Sequence, residues 1–372
     1  MTRKILYVQY TNPAAYPPLL HSAAILAEQR WEVVFVGIVG DGSAQLVMPG
    51  HSRIRVEHVG RQSGGPFGKL KYAGFALRSL LAALRFRPDW CYASDPLSAP
   101  AALAIKGIGT KIVYHEHDAP GPGLDRVVLR ARERLAAVAD VLIAPAASRA
   151  TLLPPSRAEK FVVWNCPRRD EAAVARPADT GTRFDLVYHG SLSRDRLTPQ
   201  FVDAMQMLPP TVHLHIYGYE TVGHRGYAQE VVDRAAGAGI SDRVHLHGAV
   251  PERAALLDRL RGHHLGISTI SSVAADRNLH TLAGASNKAF EYLAAGIPLL
   301  ISADPAWRTL YEEPGYAAVC NPEDAESIAT AVRPLCEDPG RARQMGESGR
   351  QRVLTDWNYE TQFEPVLRKL SA

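Results

Sequence analysis

A chain of 372 residues is more than one hydrophobic core usually serves, and at about 150 residues per domain it is expected to hold two. With 46% hydrophobic and 22% charged residues each half can bury a core, which excludes a mainly disordered or collagen-like chain. The net charge of +4, with 42 basic residues spread among 38 acidic ones, excludes the gathered basic field of a nucleic-acid binder.

The chain opens with a short β-rich run at Lys4 to Gln9, helical spacing over residues 19–29 and a second β-branched run over 32–37, a βαβ unit. The alternation continues with a strand at 53–58, a long helix at 67–87, a strand at 90–93, a helix at 97–105 and a strand at 111–115. After Asn165-Cys166-Pro167 the residues turn to charge, Ala and Pro without apolar periodicity. Residues 1–170 are therefore expected as a first domain, 171–183 as a linker and 184–354 as a second domain. In the second domain strands are expected at 185–189, 212–217, 244–247, 265–270, 298–302 and 317–320, between helices at 198–207, 227–238, 252–261 and 287–295. Charged, Leu-bearing helices close the chain, the last near residues 359–370. Strands alternating with helices predict an α/β architecture of two doubly wound, Rossmann-like domains, each a parallel sheet covered on both faces. In such sheets ligands bind at the carboxyl ends of the strands.

Four widely spaced cysteines, with no Cys-x-x-Cys, suggest neither a zinc ribbon nor a disulfide framework, and a reducing, cytoplasmic setting fits them. The first nine residues lack the longer apolar region of a signal peptide, and no run reaches the roughly 18 apolar residues of a membrane span. The helix at 67–87 does carry Lys69, Lys71, Arg78, Arg85 and Arg87 beside Leu70, Phe75, Leu77, Leu80, Leu81 and Leu84. A basic amphipathic helix of this kind can lie on an anionic membrane, so peripheral contact at the inner face of a membrane is an expectation.

The most informative stretch runs from Ser286-Asn287-Lys288-Ala289-Phe290-Glu291 to Gly296-Ile297-Pro298. Gly284 and Ser286 lead into a helix start whose free amides and positive dipole end suit a diphosphate, and Lys288 adds a cation there. Glu291 lies one turn further on, where a carboxylate can accept two hydrogen bonds from a ribose diol. Tyr188-His189-Gly190-Ser191 ends a strand in a glycine turn, and Arg194 and Arg196 follow it. Of the two, Arg196 is the candidate to clamp phosphate and stabilise a leaving diphosphate. Tyr217-Gly218 and Gly248-Ala249-Val250 are two more strand-end loops where backbone can approach a base.

The run Asn287 to Pro298 resembles the N-K-x-F-E-Y-x-A-A-G-x-P block of glycosyltransferase family 4. Residues 188–196 resemble that family's G-(R/S)-L loop and residues 244–251 its V-x-F-x-G-x-V-P turn, in the same order along the chain. The resemblance implies the GT-B fold, two Rossmann-like domains facing a central cleft, and transfer of a sugar from a nucleotide-sugar donor, with a UDP- or GDP-sugar expected first, to an acceptor hydroxyl with retention. It also implies that residues 355–372, with Trp357, cross back to the first domain. Ala283 stands where the family has the first of two glutamates, Ser191 where an arginine usually follows the glycine, and Asn12 to Pro18 in place of an N-terminal Gly-Gly. Arg196 and Lys288 are then left to carry the phosphate.

In the first half Val113 to Asp118 ends a strand, and alternation puts His115 and His117 on one face and Glu116 on the other. Related enzymes carry a histidine here near the donor sugar, a role the resemblance gives to His117 with Asp118 as partner. His-x-His could instead bind a metal. No third ligand and no Asp-x-Asp motif is identifiable, so transfer without a metal or other cofactor is expected. The acceptor stays open among a sugar, a lipid-linked group and a small molecule, as do the base and the sugar. Two alternatives also remain open, a nucleotide-sugar epimerase of the same architecture and an inactive binding subunit.

Overall fold

The computed structural model describes residues 2–39, 43–61, 68–121, 123–178, 181–220 and 222–372, and the chain divides into two compact units. The first comprises residues 1–165, 276–285 and 359–372, and the second residues 166–275 and 286–358. The boundary follows Asn165, and the stretch expected as a linker lies in the second unit, where Ala172 and Arg176 are buried.

The first unit runs β1 (Lys4–Gln9), α1 (Pro17–Glu28), β2 (Glu32–Val39), β3 (Ile54–Arg61), α2 (Gly68–Phe86), β4 (Trp90–Ser94), α3 (Ala99–Lys106), β5 (Lys111–His115), α4 (Arg126–Val138), β6 (Val141–Ala144), α5 (Ala147–Ala150) and β7 (Glu159–Val162). Its strands pair in parallel in the order β3-β2-β1-β4-β5-β6-β7 among the described residues. The central strands are near-continuous apolar runs because both faces are covered. Alternation divides their side chains between two cores. Leu6, Val8, Val34 and Phe75 pack on one face, and Ile5, Tyr7, Leu19 and Phe35 on the other.

The second unit runs β8 (Phe184–Leu192), α6 (Gln200–Met207), β9 (Val212–Glu220), α7 (Tyr227–Gly237), β10 (Val244–Leu246), α8 (Arg253–Leu260), β11 (Leu265–Ser268), α9 (Asn287–Ala294), β12 (Leu299–Ser302), α10 (Pro305–Trp307), β13 (Ala317–Cys320), α11 (Ala325–Glu337) and α12 (Pro339–Thr355). Its sheet, again parallel, has the order β10-β9-β8-β11-β12-β13. The last helix, α13 (Tyr359–Ser371), belongs to the first unit, where Tyr359, Phe363, Val366 and Leu370 join the core of Ile5 and Tyr7. Both units are thus doubly wound α/β domains. No helix among the described residues is long and apolar enough to cross a membrane.

The expected elements stand close to the observed ones, with instructive differences. Strands β8 and β9 run past the glycines read as their ends, because Gly190, Ser191 and Leu192 still pair with Gly218, Tyr219 and Glu220. A 3-10 turn at Pro96–Ser98 precedes α3. Phe67, the expected first residue of α2, lies outside the described residues. Elements α4, β6, α5 and β7 are additions to the sequence reading.

Helix α9 lies tight on the sheet because Gly266 of β11 has no side chain. A Cβ there would fall inside contact distance of the Tyr292 ring, whose hydroxyl accepts the backbone N–H of His189 at 3.0 Å. Gly266→Ala should therefore force α9 outward and cost about 1–3 kcal/mol in urea unfolding. An unchanged midpoint would mean that α9 has room to shift.

Candidate functional site

Gly190 and Gly218 are register partners two residues before β8 and β9 end, and a Cβ on Gly218 would stand 2.5 Å from the Gly190 carbonyl oxygen. Gly190 itself has φ +99°, a backbone that favours glycine. Lys288, on the first turn of α9, reaches this corner, its Nζ 3.5 Å from where a Gly190 Cβ would be. Its ammonium lies 3.2 Å from the Tyr188 hydroxyl and 4.7 Å from the centroid of that ring. Burial, and then the like charge of Arg196, hold Lys288 well below the ordinary lysine range. Ser286 caps no amide of α9 with its side chain, and Asn287 Oδ1 is buried without a hydrogen-bond partner. Ser191 is half-buried beside this turn. A lysine short of counter-charge, an arginine, open amides and a glycine corner form a place for an anion.

Glu291 is buried one turn along α9. Its Oε1 accepts from Arg253 Nη1, and its Oε2 lies 3.2 Å from His189 Nε2, which makes no hydrogen bond of good geometry. Arg253 also donates to both oxygens of Glu171, from Nε at 2.5 Å and Nη2 at 3.0 Å. Burial pushes the Glu291 carboxyl up, but the guanidinium of Arg253 and then His189 overcome it and hold the group below the usual carboxylate range. Burial, despite Glu291, lowers His189 to about 4, so the imidazole is neutral. Neither Arg253 nor Glu171 was singled out by the sequence. Glu171 sits in the charged stretch taken for a linker, and 82 residues separate the pair.

Tyr217 stacks on His247 with ring centroids 4.4 Å apart, under the Arg259 guanidinium at 5.8 Å. Gly248 (φ +72°) and the buried Val250 follow on the next loop. Behind them the same face carries a ladder of imidazoles. His213 Nδ1 meets His245 Nε2 at 3.0 Å, His215 Nδ1 meets His247 Nε2 at 2.9 Å, and His215 Nε2 lies 3.2 Å from Asp185 Oδ1. Among the described residues no group of three or more His, Cys, Asp or Glu is placed to hold a metal ion.

In the first unit alternation brings the His115 and His117 rings to 3.7 Å, while Glu116 turns the other way into an ion pair with Arg132 at 2.6 Å. Tyr92 Oη holds His115 Nδ1 at 2.6 Å, and both ring nitrogens of His117 are buried without a hydrogen-bond partner. Burial, against the pull of Asp118, lowers His117 to about 3, so it is a neutral imidazole. Asp118 is exposed and pairs with the buried Arg149 at 2.9 Å, and Arg149 also donates to the His117 carbonyl. Asp95, with φ +63°, accepts the N–H of His117 at 2.7 Å and that of Asp118 at 3.3 Å, which fixes the turn. Burial and the Asp118 charge push Asp95 up to about 8. Asp95 and Arg149 went unread in the sequence. The Asp95-Pro96 step at a strand end was the available signal for the first.

Two family models cover most of the chain. The one described as a glycosyl transferase 4-like domain matches residues 19–177, and the one described as glycosyl transferase-like matches residues 194–368. Glycogen synthase of Mycobacterium tuberculosis is 26% identical over 313 residues, 78% of this chain and 70% of the relative. Among solved structures, sucrose-phosphate synthase from Thermosynechococcus elongatus superposes with a TM-score of 0.75 at 15% identity, covering 99% of each chain. HepE of Anabaena in complex with UDP superposes with a TM-score of 0.73 at 18% identity, again over 99% of each chain. The same protein with UDP-glucose gives 0.70 at 17% identity over 99% of each chain. At these identities the solved structures share the fold with this chain.

The imidazole ladder makes stability depend on pH. His213, His245 and His247 are held below the ordinary imidazole value, and His263 is lowered to about 4, each mainly by burial. Next come Arg183 for His213 and the neighbouring His215 for the other three. Asp185, Asp242 and Arg259 also face the group. These histidines fold neutral and take up protons only more weakly than the unfolded chain, so their contribution is complete above about pH 6.5 and is lost as pH falls through the folded values. Thermal melts from pH 7.5 to 5.5 should fall more steeply for the native chain than for a His213→Gln, His245→Gln double variant. Parallel slopes would refute the role of the ladder.

Proposed function

The chain belongs to glycosyltransferase family 4 and is a hexosyltransferase with the GT-B fold, and we propose that it moves glucose from UDP-glucose to an acceptor hydroxyl with retention and without a metal. One observation carries the reading. The half-buried Lys288, pressed by Arg196 and set against the Gly190–Gly218 corner and the first turn of α9, calls for an anion there. A nucleoside diphosphate supplies it, and the two cations with the helix N-terminus take the place of a metal in stabilising the departing diphosphate. Supporting the choice of donor, solved structures of the same fold hold UDP and UDP-glucose. Glu291 takes the ribose diol, Asn287 Oδ1 accepts a donor hydrogen, and Tyr217, Gly218, Gly248 and Val250 line the base. In the first unit His117, neutral and with both nitrogens unpaired, offers hydrogen bonds that suit a sugar hydroxyl, and Asp118 steadies its loop through Arg149.

Helix α2 supports a membrane-bound acceptor. Phe75, Ser79, Ala82 and Ala83 face the core, while Leu70, Leu77, Leu81 and Leu84 form a second stripe exposed by 37–72%. Lys71, Arg78 and Arg85 flank that stripe and the helix contains no acidic residue. A leucine face bordered by cations fits the surface of an anionic bilayer, from which we take the acceptor to be lipid-linked and the enzyme to work at the cytoplasmic face.

Arg196→Ala and Glu291→Ala should each lower glucosyl transfer from UDP-glucose about a hundredfold in correctly folded protein. Transfer by the native chain should be the same in a chelator as in magnesium. Unchanged activity in both variants would remove the assignment. In vesicle sedimentation the protein should bind phosphatidylglycerol and not phosphatidylcholine, and Leu77→Glu with Leu84→Glu should abolish binding. Equal recovery with both lipids would overturn the membrane reading.

A further inference from the structure

We propose that Arg253, anchored by Glu171, is the positioning residue that presents the Glu291 carboxylate to the nucleotide's ribose. The inference rests on the reading of Glu291 given above and adds to it two residues that no motif contains. Arg253 opens α8 directly after the loop that carries Gly248 and Val250, and its side chain spans to α9. Its guanidinium is itself fixed, because Nε and Nη2 are committed to the two oxygens of Glu171. Only Nη1 is turned to Glu291. The three side chains are shielded from water, with exposures of 11% for Arg253, 16% for Glu171 and 4% for Glu291.

That geometry settles how Glu291 can act. A carboxylate offers about four lone-pair positions. The arginine uses one on Oε1 and thereby fixes the plane of the group, while His189 Nε2 stands beside Oε2 at 3.2 Å without a formed hydrogen bond. Lone pairs therefore remain on both oxygens, in a fixed plane, for the two hydroxyls of a ribose. Without Arg253 the buried carboxylate would lose its counter-charge and either take a proton or swing away. Both outcomes would remove an acceptor pair from the diol while leaving the diphosphate corner at Lys288 and Arg196 intact. Arg253 therefore governs recognition of the ribose hydroxyls and not of the phosphates.

Calorimetric binding of UDP and of 2′,3′-dideoxy-UDP separates these effects. The native chain should prefer UDP by roughly tenfold or more, the value of two hydrogen bonds to a charged acceptor. Arg253→Ala should erase that preference while binding dideoxy-UDP as the native chain does, and Glu171→Gln should reduce it in part. Arg253→Lys, which keeps the charge and suits a folded control, should restore part of what alanine loses. A preference kept in Arg253→Ala, or equal weakening of both ligands there and in Arg253→Lys, overturns the positioning role. Glu291→Gln distinguishes the layers of the argument. Loss of the preference in Glu291→Gln but not in the Arg253 variants sinks this inference alone. Preference retained in Glu291→Gln sinks the ribose reading and this inference with it.

Discussion

A carboxylate in the interior of a protein demands a counter-charge, and the second unit is built around that demand at Glu291. Desolvation alone would protonate the group. The guanidinium of Arg253 prevents it, and the price of burying that cation is met in turn by Glu171. The result joins three segments far apart in the chain: the stretch just past the unit boundary, the start of α8 and the body of α9. Tyr292 adds a polar tie from α9 to β8 through the His189 amide, and Gly266 lets the helix come close enough for that bond.

The two units place their distinctive side chains by one device. Each sets a left-handed backbone at or just before the carboxyl end of a parallel strand, at Gly190 within β8, at Gly248 after β10 and at Asp95 after β4 in the first unit. Side chains then come from the neighbouring helix or loop. Charge is handled oppositely in the two places. Around Lys288 cations gather with too little opposing charge, which suits an anionic ligand. Around His117 burial strips the proton, and a neutral imidazole with two unpaired nitrogens remains. The first arrangement favours binding a charged group, and the second favours hydrogen bonding to an uncharged one.

Much of the architecture was legible because parallel strands buried on both faces are written as unbroken apolar runs, such as Lys4–Gln9 and Glu32–Val39. The elements between residues 126 and 162 were harder to read. Helix α4 packs through Val128, Ala131, Leu135 and Ala136, a thin face among many charges, and β7 is an edge strand with exposed Glu159 and Lys160. Strand ends were misjudged at Gly190 and Gly218, because glycine reads as a stop and here continues the ladder. The local run Ser286 to Glu291 could be recognised since its residues share one helix start. Arg253, Glu171, Asp95 and Arg149 could not, because their meaning lies in partners brought near only by the fold.

The route of the chain has a consequence for its birth. Tyr359, Phe363, Val366 and Leu370 of α13 fill the same core as Ile5, Tyr7 and Leu19, so the sheet of the first unit lacks part of its interior until residues 359–370 leave the ribosome. During synthesis that face must wait, greasy and incomplete, while the whole second unit is translated. Helix α13 acts as a lid on a core whose other residues are made long before it, and a nascent chain stopped short of it would carry that core unfilled.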